Sequence, residues 1–86
     1  MRKEVFVISD DDGNAIVAPT WDAAVRGWAD RWKIKNSTQV DWSPDKTIVE
    51  EFGENWIEEL TNRGSRFFND FFDCFYYANI VPYYGN

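Results

Sequence analysis

Glu50, Glu54 and Glu58 recur every four residues, with Glu51 and Glu59 beside them. On a helix this spacing stacks three carboxylates on one face, about 6 Å apart along the axis at a rise of about 1.5 Å per residue. Successive phosphates along one nucleic-acid strand are comparably spaced. Like charges at i and i+4 each cost a helix roughly 0.2–0.5 kcal/mol. Along this segment only Lys46 and Arg63 are near enough to relieve them. The pattern offers a stripe complementary to a basic groove. Its competing reading is a solvated face on an acidic protein.

Other chemistry is poorly supplied. Paired carboxylates can hydrolyse glycosides, but these lie on a convex helical face, and 86 residues leave little material for a cleft. The absence of histidine removes the usual general base and the commonest zinc ligand. Cys74, the only cysteine, has nothing to activate it and falls among phenylalanines, surroundings that disfavour a thiolate. Asp10, Asp12 and Gly13 have the beginnings of a calcium loop, yet the closing bidentate glutamate would fall at Pro19. The expectation is a protein without catalytic activity, metal or cofactor.

Charge narrows the partners. Residues 36–86 hold three basic side chains against nine acidic ones, which accounts for the whole net charge of −6. Residues 1–35 are neutral. Nucleic acid and anionic lipid both require cationic side chains, so a basic protein is the partner this balance permits. The lone cysteine excludes an internal disulfide and suits a reducing cytoplasm. No long apolar stretch follows Met1, and no segment approaches the roughly 20 apolar residues of a membrane span.

At 44 % hydrophobic and 19 % aromatic the chain is too apolar to be disordered. It reads as one small domain, residues 1–86. Glu4–Ile8 is a strand rich in β-branched and aromatic residues, and Asp10–Asn14 is a turn leading to a second strand, Ala15–Ala18. Thr20 then caps a helix with Trp21, Ala24, Val25, Trp28 and Trp32 on one face. Trp28 and Trp32 are expected to be buried against Phe6 and Ile8.

Thr38–Trp42 alternates and offers a third strand. Ser43-Pro44-Asp45 reads as the start of a second helix, with Ile48, Phe52, Trp56 and Leu60 recurring every four residues. Gly53 is a place where it can split, and Gly64 a stop. From Ser65 a last helix runs to about Asn79, its phenylalanines sweeping about 180°, wider than the stripe of somewhat over 100° that a surface helix needs. The excess suits either central burial or an interface. Ile80–Tyr84 reads as an extended tail with Tyr83 and Tyr84 partly exposed. The whole is an α+β domain in the order β-β-α-(β)-α-α: an N-terminal hairpin packed against two to three helices.

In size, acidity and mixed α/β content the chain resembles small phage-encoded inhibitors of bacterial defence systems, of the anti-CRISPR and DNA-mimic anti-restriction kind. The residues behind the resemblance are Glu50, Glu51, Glu54, Glu58, Glu59, Asp70 and Asp73, with Asp10 to Asp12 as a second acidic patch. It implies a cytoplasmic protein of a bacterial host cell that occupies the cationic nucleic-acid site of a nuclease or effector. Those carboxylates would form the contact surface together with Tyr77, Tyr83 and Tyr84. Antitoxins and immunity proteins use related physics. A homodimer, or a homo-oligomeric adaptor working through the aromatic last helix, is the alternative from another class.

Overall fold

A computed structural model describes residues 3–42, 45–72 and 75–83. The first strand, β1 (Lys3–Asp10), turns back into β2 (Ala15–Ala18) with Phe6 opposite Ala18 and Ser9 opposite Ala15. The turn is held from within. The Asp10 carboxylate accepts from the backbone amides of Asp12 at 3.0 Å and Asn14 at 2.9 Å. Gly13 supplies the positive φ that such a turn needs. These aspartate contacts are turn chemistry, as the misplaced Pro19 implies.

After β2, Thr20 caps α1 (Trp21–Arg31) by accepting from the Ala23 amide at 3.1 Å. Ala24, Val25 and Trp28 on its inner face are fully buried. Trp28 is the hub of the core. It meets Phe68 and Phe72 with ring centroids at 5.1 Å, Tyr76 at 5.5 Å and Trp56 at 6.4 Å. It shares this cluster with Ile8, as expected. Phe6 instead packs on Trp21, at 5.7 Å, and Trp32 is only half-buried.

The expected second helix is shorter than its periodicity. Gln39–Trp42 (β3) pairs antiparallel with β4 (Asp45–Thr47), forming a two-stranded ribbon apart from the main sheet. Asp45 is thus in a strand, and Ser43 and Pro44 lie outside the described residues. The helix begins as α2 (Ile48–Phe52), where Thr47 and Glu50 form a reciprocal capping box. That box satisfies two orphan amides at once, which a lone N-cap at Ser43 could not. At Gly53, with φ 87°, the helix ends. Then α3 (Trp56–Phe71) follows, kinked at Gly64, where φ is 89° and ψ 172°. Both glycines therefore act as the breaks that their positions announced.

Beyond Gly64 the expected last helix stops eight residues early. Tyr76–Tyr83 forms β5, paired with β1 along its whole length from Lys3 opposite Tyr83 to Asp10 opposite Tyr76. Without β5 one edge of β1 would carry unpaired backbone groups, and pairing outweighs the helical phenylalanine period that runs on through Tyr76. The main sheet is ordered β2-β1-β5. Pro82 does not interrupt the pairing but occupies β5 opposite Glu4. An edge strand tolerates it because the missing N–H would face outward.

The end of α3 covers part of that edge. Asn69 accepts from the Ala78 amide at 2.5 Å and donates to the Ala78 carbonyl at 2.7 Å, so its carboxamide stands in for a neighbouring strand. The Tyr76 amide donates to Phe72 O at 2.9 Å. The helices α1 and α3 pack on the sheet, where Phe6, Ile8, Ile16, Tyr76 and Ala78 meet the core. The opposite side has no layer over it among the described residues.

Candidate functional site

Two surfaces stand out, one on each side of the molecule. On the helical side the break at Gly53 prevents Glu50, Glu54 and Glu58 from stacking along one helix, which corrects the expected stripe. The five glutamates divide by what holds them. Glu50 Oε1 accepts from the Thr47 amide at 2.9 Å and from its hydroxyl at 3.0 Å. These hydrogen bonds, the backbone one foremost, hold its carboxyl below the usual carboxylate range. Glu51 lies 3.7 Å from Lys46 and Glu59 lies 3.0 Å from Arg63.

Glu54 and Glu58 are different. Both are exposed, and neither has a hydrogen bond or ion pair among the described residues. They border one open depression, also lined by Arg26, Asn36 and Trp56. Its wall is fixed where Trp56 Nε1 donates to Asn36 Oδ1 at 2.8 Å. Arg26 is itself engaged by Asp22 at 3.1 Å. The depression therefore offers free carboxylates on a rigid support. Asp70 is exposed farther along α3, and Asp73 and Tyr84 lie outside the described residues.

The second acidic patch is partly consumed. The Asp10 carboxylate also takes the Trp32 indole N–H at 2.8 Å, while Asp11 and Asp12 remain exposed. That bond first, with those from Asn14 and Asp12, lowers the Asp10 pKa from 3.8 to about 2. Burial, and secondarily the Asp10 charge, raises the Tyr76 phenol.

The aromatic helix is spent mostly indoors. Phe68 and Phe72 are buried, and Phe67 and Phe71 cluster with Phe52 at 5.9 and 5.1 Å. The Arg63 guanidinium covers Phe67 at 4.8 Å. Phe75 beyond its end is partly exposed beside Trp28 and Phe72, and two further exposed rings stand on the other side of the molecule. Tyr77, 57 % exposed, and Tyr83, 51 % exposed, stand on the outer face of the sheet. Val5 and Val7 of β1, Val17 of β2 and Val81 of β5 share that face by strand alternation. Val17 is 66 % exposed, and none of these residues packs against the core. Lys3 is the only charged strand residue there.

Sequence reasoning placed Tyr77 on a helix and so missed this face. Its signal was the valine alternation in β1, legible only once β5 is known to be its neighbour. Among the described residues no three His, Cys, Asp or Glu side chains come together to hold a metal ion, and no helix is long and apolar enough to cross a membrane. No family model matches the chain, and neither a curated protein nor a solved structure matches it.

Proposed function

We propose that the protein is a non-enzymatic inhibitor whose acidic helical side occupies a basic, nucleic-acid-binding surface of another protein. The target class is a nuclease or a bacterial defence effector, as in anti-CRISPR and anti-restriction proteins, met in the cytoplasm of a bacterial host. The observation that carries this reading is the pair Glu54 and Glu58, without hydrogen-bond or ion-pair partners among the described residues, beside one depression. A lysine or arginine of the partner entering there would find carboxylates not committed to other described residues. Glu51, Glu59 and Asp70 extend the negative field around it and steer association. Glu50, held in the capping box, and Tyr77 and Tyr83, on the outer sheet face, lie outside this interface.

The test is capture from bacterial lysate at low salt, comparing the native protein with Glu54→Gln/Glu58→Gln, followed by assay of any captured nuclease. Expected are basic partners that the native protein retains, releases as salt rises and inhibits, and that the double variant fails to hold. Equal recovery by both proteins at low salt would discard the acidic-mimic reading. An antitoxin or immunity role shares this surface and differs only in the partner recovered.

A further inference from the structure

We infer that two copies of this chain associate through the outer face of the three-stranded sheet, stacked face to face and antiparallel about a dyad over Val7. The inference is independent of the acidic side and of any inhibitory role. Its first support is charge. A chain of net charge −6 can meet a copy of itself only where carboxylates do not face each other. The outer sheet face meets that condition, because Val5, Val7, Val17 and Val81 surround a centre without acids. On the other side of the sheet α1 and α3 pack against the core strands. Charges on the helical sides of the two copies are separated by more than the roughly 10 Å between stacked sheets, beyond the Debye length of about 8 Å at physiological salt, so their mutual repulsion is largely screened.

The second support is self-complementarity. Val7 lies midway between Lys3, at one end of β1, and Asp11, the first turn residue beyond the other end. An in-plane dyad perpendicular to the strands above Val7 sets each Lys3 over the Asp11 turn of the other copy, twice by symmetry. The same operation lays Tyr77 over Val81, because Asn79 is the residue opposite Val7 in β5. The alternative dyad, along the strands, would set Lys3 over Lys3. Aligned sheet packing with the usual offset of about 30° accommodates the antiparallel arrangement.

Area sets the strength. Three strands about 4.8 Å apart and up to eight residues long give a footprint that, with protruding tyrosines, buries on the order of 1,000 Å² over both chains. This is the lower limit for specific association. The dimer is therefore weak and concentration-dependent. Edge-to-edge pairing through β5 is the poorer route to a dimer, because Asn69 occupies the Ala78 edge groups and Pro82 lacks a donor.

Sedimentation equilibrium over a concentration series extending to millimolar protein tests this directly. The native chain should pass from monomer to dimer, and Val17→Lys should remain monomeric with an unchanged circular dichroism spectrum. Lys3→Asp should weaken the dimer roughly fivefold, and adding Asp11→Lys should restore it to within about twofold, as two exposed ion pairs would give. A native protein that is monomeric throughout overturns the proposal and leaves the face to another occupant. So does a dimer indifferent to Val17→Lys, or a Lys3→Asp defect that Asp11→Lys does not repair.

Discussion

The two sides of the molecule share one core and expose opposite surfaces. The helical side carries Glu50, Glu51, Glu54, Glu58, Glu59 and Asp70, while the outer sheet face carries valines and tyrosines with Ala15, Ser9, Asn79 and a single lysine. Charge on the helical side is not uniformly available. Glu50, Glu51 and Glu59 are engaged in holding local structure, whereas Glu54 and Glu58 are free. Counting carboxylates therefore overstates the surface that a partner can use, and the residues with no internal task mark it better.

Both surfaces depend on Trp28, so removing it should give the largest effect. Trp28→Ala empties a fully buried site contacted by four rings. Chemical denaturation should show a loss of about 3–5 kcal/mol, a large share of the stability of a small domain. Trp28→Phe should cost clearly less, because the Trp28 indole N–H is buried without a hydrogen-bond partner among the described residues and the smaller ring discards that donor. Equal losses for the two variants would contradict this account of the core.

Asn69 comes next, as the residue that closes the edge of the sheet face against the end of α3. Asn69→Ala leaves the Ala78 N–H and C=O without their two bonds. At about 0.5–1.5 kcal/mol for each bond, the loss should be about 2 kcal/mol. Asn69→Asp should also destabilise, since a carboxylate cannot donate to the Ala78 carbonyl. Amide exchange at Ala78 gives a local readout, and protection surviving in Asn69→Ala would refute the role assigned to the carboxamide.

Asn69 also shows where the sequence stopped being informative. The hairpin, the tryptophan face of α1 and the breaks at Gly53 and Gly64 follow from local chemistry and were legible. The fate of Tyr76–Tyr83 was not, because its partner β1 lies some seventy residues earlier and the phenylalanine period runs on past Phe72. No local pattern reveals that Asn69 will imitate a strand. The start of α2 was recoverable in principle: Thr47 and Glu50 have the spacing of a capping box, but the stronger-looking Ser43-Pro44-Asp45 competed with it. Within the site, residue type found the glutamates. Only the positions of Thr47, Lys46 and Arg63 separate the engaged ones from the free ones.

Acid should act on the turn below the sheet. Asp10 has its pKa lowered from 3.8 to about 2 by the Trp32 indole and the amides of the turn. A depressed carboxylate stabilises the fold above its unfolded pKa and loses that contribution as pH falls through the folded one. Stability should therefore decline between about pH 4 and pH 2, with Glu50, also depressed, contributing in the same direction. In Asp10→Asn the decline monitored by tryptophan fluorescence should flatten. An unchanged pH profile would show that Asp10 does not govern this transition.

The smallest stability effect should fall on the residues with the largest functional one. Glu54→Ala/Glu58→Ala removes two exposed carboxylates that hold nothing internally, so its unfolding free energy should stay within about 0.5 kcal/mol of the native value. Glu50→Ala removes one half of a capping box and should lower the melting temperature measurably. Partner binding should respond in the reverse order, with the Glu54/Glu58 variant losing affinity and salt dependence and Glu50→Ala retaining both. If instead Glu50→Ala abolishes binding while still folded, the carboxylates engaged in local structure also serve the partner, and the division drawn between held and free glutamates fails.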